Sequence, residues 1–113
     1  MQEIASAVLG LRGETERFLC ELLRFPSLPG KEREAMEYAA ARFAEVAEVE
    51  RVPLSNALRE DEDYADPVPG LDYQGRFNLR VRVSGGGGGR SLLFNTHLDV
   101  VPASQGQERP FDP

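Results

Sequence analysis

Near the N-terminus the chain repeats at steps of three and four: Ile4, Val8, Leu11, Thr15, Phe18 and Leu22 fall on one stripe, which Leu19 and Leu23 widen. That period predicts an amphipathic helix with one core-facing side. Gly10 and Gly13 weaken its first half by about 1 kcal/mol each relative to alanine. Pro26 ends it, because the residue before a proline is pushed out of the helical region. After a short loop, Ser27 to Gly30, a second helix is expected from Lys31 to Ala47. It carries Ala35, Met36, Ala39, Ala40, Phe43 and Ala47 as its apolar positions. The alanines suit close packing, and the charges around them form a solvated face.

Beyond Ala47 the period changes to two. Val49 to Leu54 reads as a short strand, with Pro53 placing it at an edge or a strand end. Arg76 to Ser84 alternates cleanly, with Phe77, Leu79, Val81 and Val83 on one face and Asn78, Arg80, Arg82 and Ser84 on the other. Ser91 to Thr96 holds the continuous run Leu92-Leu93-Phe94, the pattern of a strand covered on both faces. Read locally, the glycine-rich link between these last two strands suggests an antiparallel hairpin. Ser55 to Gly75 is long and irregular, with Pro67, Pro69 and Gly70 as breakers. The order of elements is thus two helices and then about three strands, an α/β pattern.

Length and charge narrow the picture. A chain of 113 residues is about one domain long, and its 41% apolar content is ordinary for a soluble protein. The net charge of -6 leaves no basic stripe for nucleic acid or for an anionic membrane surface. No apolar run approaches the ~18 residues of a membrane span, and the start lacks the layout of a signal peptide. The single cysteine, Cys20, excludes an internal disulfide. With no base near it in sequence, it reads as an inert structural thiol. A reduced, cytoplasmic, soluble protein is expected.

Several stretches suggest chemistry, and most dissolve on inspection. The acidic run Glu60, Asp61, Glu62, Asp63 and Asp66 begins the alternation of a calcium loop, but Ala65 and the missing glycine break it. A solvated loop is expected there. The glycines 85–89 are followed by Arg90-Ser91, not Gly-Lys-Ser/Thr, and by a strand, not a helix. They read as a flexible connector, not a phosphate loop.

His97, the only histidine, lies where an apolar strand emerges, with Asp99 two residues on. In extended chain, positions i and i+2 share a side, so Asp99 can hold one ring nitrogen while the other faces outward. That is the carboxylate–histidine–metal arrangement. A His-Asp pair can also serve as base for a serine, but no Gly-x-Ser-x-Gly is present. On spacing alone, the pair reads first as a partly buried histidine satisfied by a nearby acid, because His-x-Asp is short and common by chance.

The flanking residues add a resemblance. Leu92-Leu93-Phe94-Asn95-Thr96-His97-Leu98-Asp99-Val100-Val101-Pro102 resembles the signature of the zinc metallopeptidase and amidohydrolase family of acetylornithine deacetylase, succinyl-diaminopimelate desuccinylase, aminoacylase and carboxypeptidase G. Phe25 to Glu32 looks like that family's loop between its first two helices. Gly75-Arg76-Phe77-Asn78-Leu79 looks like its Gly-Arg-x-Asn-Leu segment, and Arg109-Pro110-Phe111-Asp112-Pro113 like the segment after the histidine strand.

The resemblance implies that residues 1–113 are the N-terminal portion of a mixed-sheet, zinc-exopeptidase-like catalytic domain, incomplete and without the lid or dimerisation domain. It implies that a later strand lies between the second and third strands, so that these two do not pair directly. His97 would be the first ligand of a two-metal zinc site, with cobalt as a substitute, and Asp99 the catalytic-site acid that orients it. The complete protein would hydrolyse an amide bond in a peptide or a small acylated amino acid, and an oligomer would be possible only in the complete protein. With one matched ligand, the chain alone is expected to be inactive. Two other readings stay open: a non-catalytic binding or scaffold module that keeps this fold segment, and a histidine–acid enzyme of another class that uses residues on a partner.

Overall fold

Three α-helices open the chain: α1 (Gln2–Gly10), α2 (Arg12–Leu23) and α3 (Arg33–Ala44). Strand β1 (Glu48–Pro53), a 3-10 turn (Asn56–Glu60) and strand β2 (Phe77–Arg82) come after them. The structure is a computed structural model and describes residues 2–65 and 68–113. Asp66 of the acidic run and Pro67 of the breakers lie outside the described residues.

The single N-terminal helix expected from the stripe is two helices, broken at Leu11. There the Leu11 N–H is shared between the Ala7 and Val8 carbonyls, each at 3.2 Å, as at a helix end. Gly10 and Gly13 flank the break, and their freedom in the unfolded chain makes a helix costly at that point. α1 buries no residue. The stripe of α2 meets α3 through rings, Phe18 lying 5.8 Å from both Tyr38 and Phe43, and just after α2 Phe25 lies 5.3 Å from Tyr38. The Tyr38 hydroxyl donates to the Glu21 carboxylate. That bond raises the tyrosine's pKa above its ordinary value.

The second expected helix forms as α3, shorter at both ends than Lys31–Ala47. Its alanines are where the chain is best closed: Ala35, Ala39 and Ala40 are buried against their neighbours, while Phe43 remains partly open. β1 and β2 form a two-stranded antiparallel sheet in the register Glu48↔Arg82 to Pro53↔Phe77. Arg51 ties this sheet to α3. It donates to Glu37 at 2.5 Å, and its guanidinium carbon lies 5.6 Å from the Phe77 ring centroid.

The third strand is a correction: among the described residues the sheet has two strands, and 91–96 forms none. Leu92, Leu93 and Phe94 are 78–90% exposed, not covered on both faces. Nor do they make the locally suggested hairpin with β2. A run of five glycines imposes no turn type, so nothing sets a register between β2 and residues 91–96. An apolar run alone does not make a strand when nothing sets its register against a partner edge.

The described residues on either side of 66–67 within Ser55–Gly75 are tied together. The Asn56 amide donates to Asp72 at 2.9 Å and accepts from the Tyr73 N–H at 3.1 Å. Asp72 also accepts the Gln74 N–H, and these donors hold its carboxyl below the usual range, the Gln74 bond contributing most. The closed part of the fold is nonetheless small. The accessible surface is 9737 Å², against about 6,200 Å² for a globule of this mass. The radius of gyration is 17.1 Å, against about 13 Å for a compact chain of this length. No large side chain is fully buried among the described residues.

Candidate metal-ligand site at His97

The site is assembled on the loop between α2 and α3. Pro26 and Pro29 stiffen it, with φ fixed near the value that tight turns need. The Ser27 N–H donates to the Phe25 carbonyl and the Leu28 N–H to the Pro26 carbonyl, both at 2.8 Å. These are consecutive three-residue turns. Gly30 then reverses the chain at φ 90°, a conformation that favours glycine. The result places Ser27, only 3% exposed, against the segment that carries the histidine.

Ser27 holds that segment on both sides of Asp99. Its hydroxyl donates to the Leu98 carbonyl at 2.7 Å, and its own carbonyl accepts the Val100 N–H at 3.0 Å. Leu98 and Val100 are half-buried, and the His97 side chain stands 81% exposed.

The i,i+2 geometry expected for the pair is present. His97 Nδ1 lies 3.1 Å from Asp99 Oδ1 and 3.0 Å from the Asp99 carbonyl oxygen. Both of these are acceptors, so Nδ1 carries the hydrogen. Nε2 then keeps its lone pair in the neutral ring, and it makes no hydrogen bond among the described residues. The arrangement differs from expectation in two respects. Among the described residues it stands outside any sheet, and the backbone carbonyl of Asp99 contacts Nδ1 together with the carboxylate.

The other motifs singled out in the sequence converge on this region unevenly. Pro110 and Phe111 line an open cleft of about 420 Å³ together with Leu19, Leu22 and Leu23 of α2, Phe25 and Val100, and with His97 and Asp99 at its wall. Gly75-Arg76 instead packs on the start of α3. Arg33 donates to the Gly75 carbonyl at 2.5 Å, and Arg76 pairs with Glu32. Glu32 also accepts the Gly30 N–H at 2.9 Å, so one carboxylate links the site loop to the start of β2. Cys20 is half-buried on α2.

For a metal, the residues present fit one ligand and not a closed site. His97 offers a free, oriented Nε2, while the described residues contain no group of three or more His, Cys, Asp or Glu able to hold an ion. A zinc site needs three or four protein ligands. Ser27 is the residue at this site that periodicity and spacing did not single out. Its sequence signals are a small hydroxyl residue between two prolines and its place in the Phe25–Glu32 segment. Among the described residues, no helix is long and apolar enough to cross a membrane. Compared with family models, with curated proteins and with solved structures, the chain matches none.

Proposed function

We propose that this chain supplies the first ligand segment of a metal-dependent amidohydrolase, with His97 Nε2 as the ligand and Asp99 as its orienting acid. The observation that supports the reading is the placement of Nδ1 between two acceptors of Asp99, which turns a bare lone pair toward solvent. Zinc, when bound in such a site, activates a water and polarises the scissile carbonyl. The work of this chain's own residues is narrower. Asp99 fixes the tautomer and makes the free nitrogen a better donor of its lone pair. The Ser27 loop holds the segment in place.

The remaining ligands and the general base come from residues outside these 113, and the fold they complete is a zinc-exopeptidase-like catalytic domain. Peptides or small N-acyl amino acids are the substrate class. The protein of the complete reading frame, loaded with zinc, is expected to release amino acid from such substrates, to stop on chelation, and to be inactive as His97→Ala. Full activity in His97→Ala would remove the reading. The competing reading, a binding or scaffold module without catalysis, is favoured by the absence of a closed ligand set among the described residues. It predicts no hydrolysis with or without metal.

A further inference from the structure

We propose that Ser27 is a positioning residue for His97: its hydroxyl and carbonyl clamp residues 98–100 and thereby hold the Asp99 acceptors on His97 Nδ1. The inference rests on the reading of His97 as a ligand for its purpose, but the geometry it invokes stands in the chain alone. Ser27 is a polar side chain 3% exposed on a molecule whose surroundings are mostly open, so its burial is local and specific. Its two bonds, 2.7 Å to the Leu98 carbonyl and 3.0 Å to the Val100 N–H, straddle Asp99.

No β-ladder does this work, because 91–100 pairs with no strand among the described residues. The histidine itself is 81% exposed, so packing does not hold its ring either. Without the clamp, residues 97–99 would be an open segment in which the ring and the two acceptors meet only transiently. A buried hydroxyl that donates to a carbonyl also leaves that carbonyl orphaned when it is removed, so the loss is local to the Leu98–Asp99 peptide.

The test is nitrogen-15 NMR of the neutral His97 ring in the 113-residue chain. The wild type is expected to show Nδ1 as the protonated nitrogen and Nε2 as the bare one. Ser27→Ala is expected to lose that signature and show the mixed tautomers of a free imidazole, with the amide pattern of β1 and β2 retained. Ser27→Thr, which keeps the hydroxyl, is expected to restore it. An unchanged tautomer in Ser27→Ala would overturn the proposal. So would a folded Ser27→Thr that behaves like the alanine variant, since the hydroxyl would then not be the acting group. Loss of the β1–β2 pattern in Ser27→Ala would assign the residue to the fold at large and overturn it as well. None of these readouts involves metal or hydrolysis. An inactive full-length protein with the expected tautomers would reject the proposed function and leave the positioning role standing.

Discussion

Replacing Asp99 by alanine separates what its side chain does from what its backbone does. In the wild type, His97 Nδ1 has two acceptors from the same residue, the carboxylate at 3.1 Å and the carbonyl at 3.0 Å. Asp99→Ala removes the first and keeps the second. Removing an orienting partner of a metal-bound histidine costs about 10- to 100-fold in metal affinity or activity. With the backbone acceptor still in place, the expected loss lies at the lower end, about tenfold, or ~1.4 kcal/mol. Stability should barely move. The pair is exposed, at 81% and 45%, and such contacts contribute roughly 0–1 kcal/mol. The assays are zinc affinity by competition with a chromophoric chelator, kcat/KM on an N-acyl amino acid, and urea unfolding, all on the protein of the complete reading frame. Unchanged zinc affinity and kcat/KM would refute the orienting role. A loss beyond about 1,000-fold would refute it from the other side, because Asp99 would then be a metal ligand itself.

Three further outcomes are expected from the same geometry. Calorimetric titration of the 113-residue chain with zinc should show no tight stoichiometric event, because one imidazole is not a closed site; submicromolar one-to-one binding would contradict this. Hydrogen exchange should be slow in α3 and in the β1–β2 ladder and fast from Leu92 to Thr96, whereas protection across 91–96 would show a strand that the structure lacks. The raised pKa of Tyr38, due chiefly to its bond to Glu21, adds stability that is fully present below the ordinary tyrosine value of 10.0. That increment is lost as pH rises through the folded-state value; Glu21→Gln should flatten the alkaline limb of a urea-midpoint profile, and an unchanged limb would discount the bond.

Local physics decides the parts of the fold that were legible in the sequence. The alanine face of α3, the strand at β2 and the His97–Asp99 spacing each depend on residues a few positions apart, and each appears in the structure; of the alternation expected over Arg76–Ser84, Phe77 and Leu79 are partly covered, while Val81 and Val83 are exposed. The stripe from Ile4 to Leu22 was right in period, yet two glycines outweighed it and divided the helix at Leu11. The run Leu92–Phe94 failed as a strand because strand formation requires a partner edge, which composition does not reveal. Ser27 was legible only as a member of the Phe25–Glu32 loop, because its two bonds reach 71 and 73 positions along the chain.

The claim that His97 is a metal ligand through Nε2 is tested most directly by anomalous diffraction at the zinc edge. The crystals would be of the zinc-loaded protein from the complete reading frame. An anomalous peak is expected about 2.0–2.1 Å from His97 Nε2, the usual zinc–imidazole distance, with Nδ1 still against Asp99. A peak at Nδ1, or zinc bound elsewhere with the His97 ring free, would contradict it.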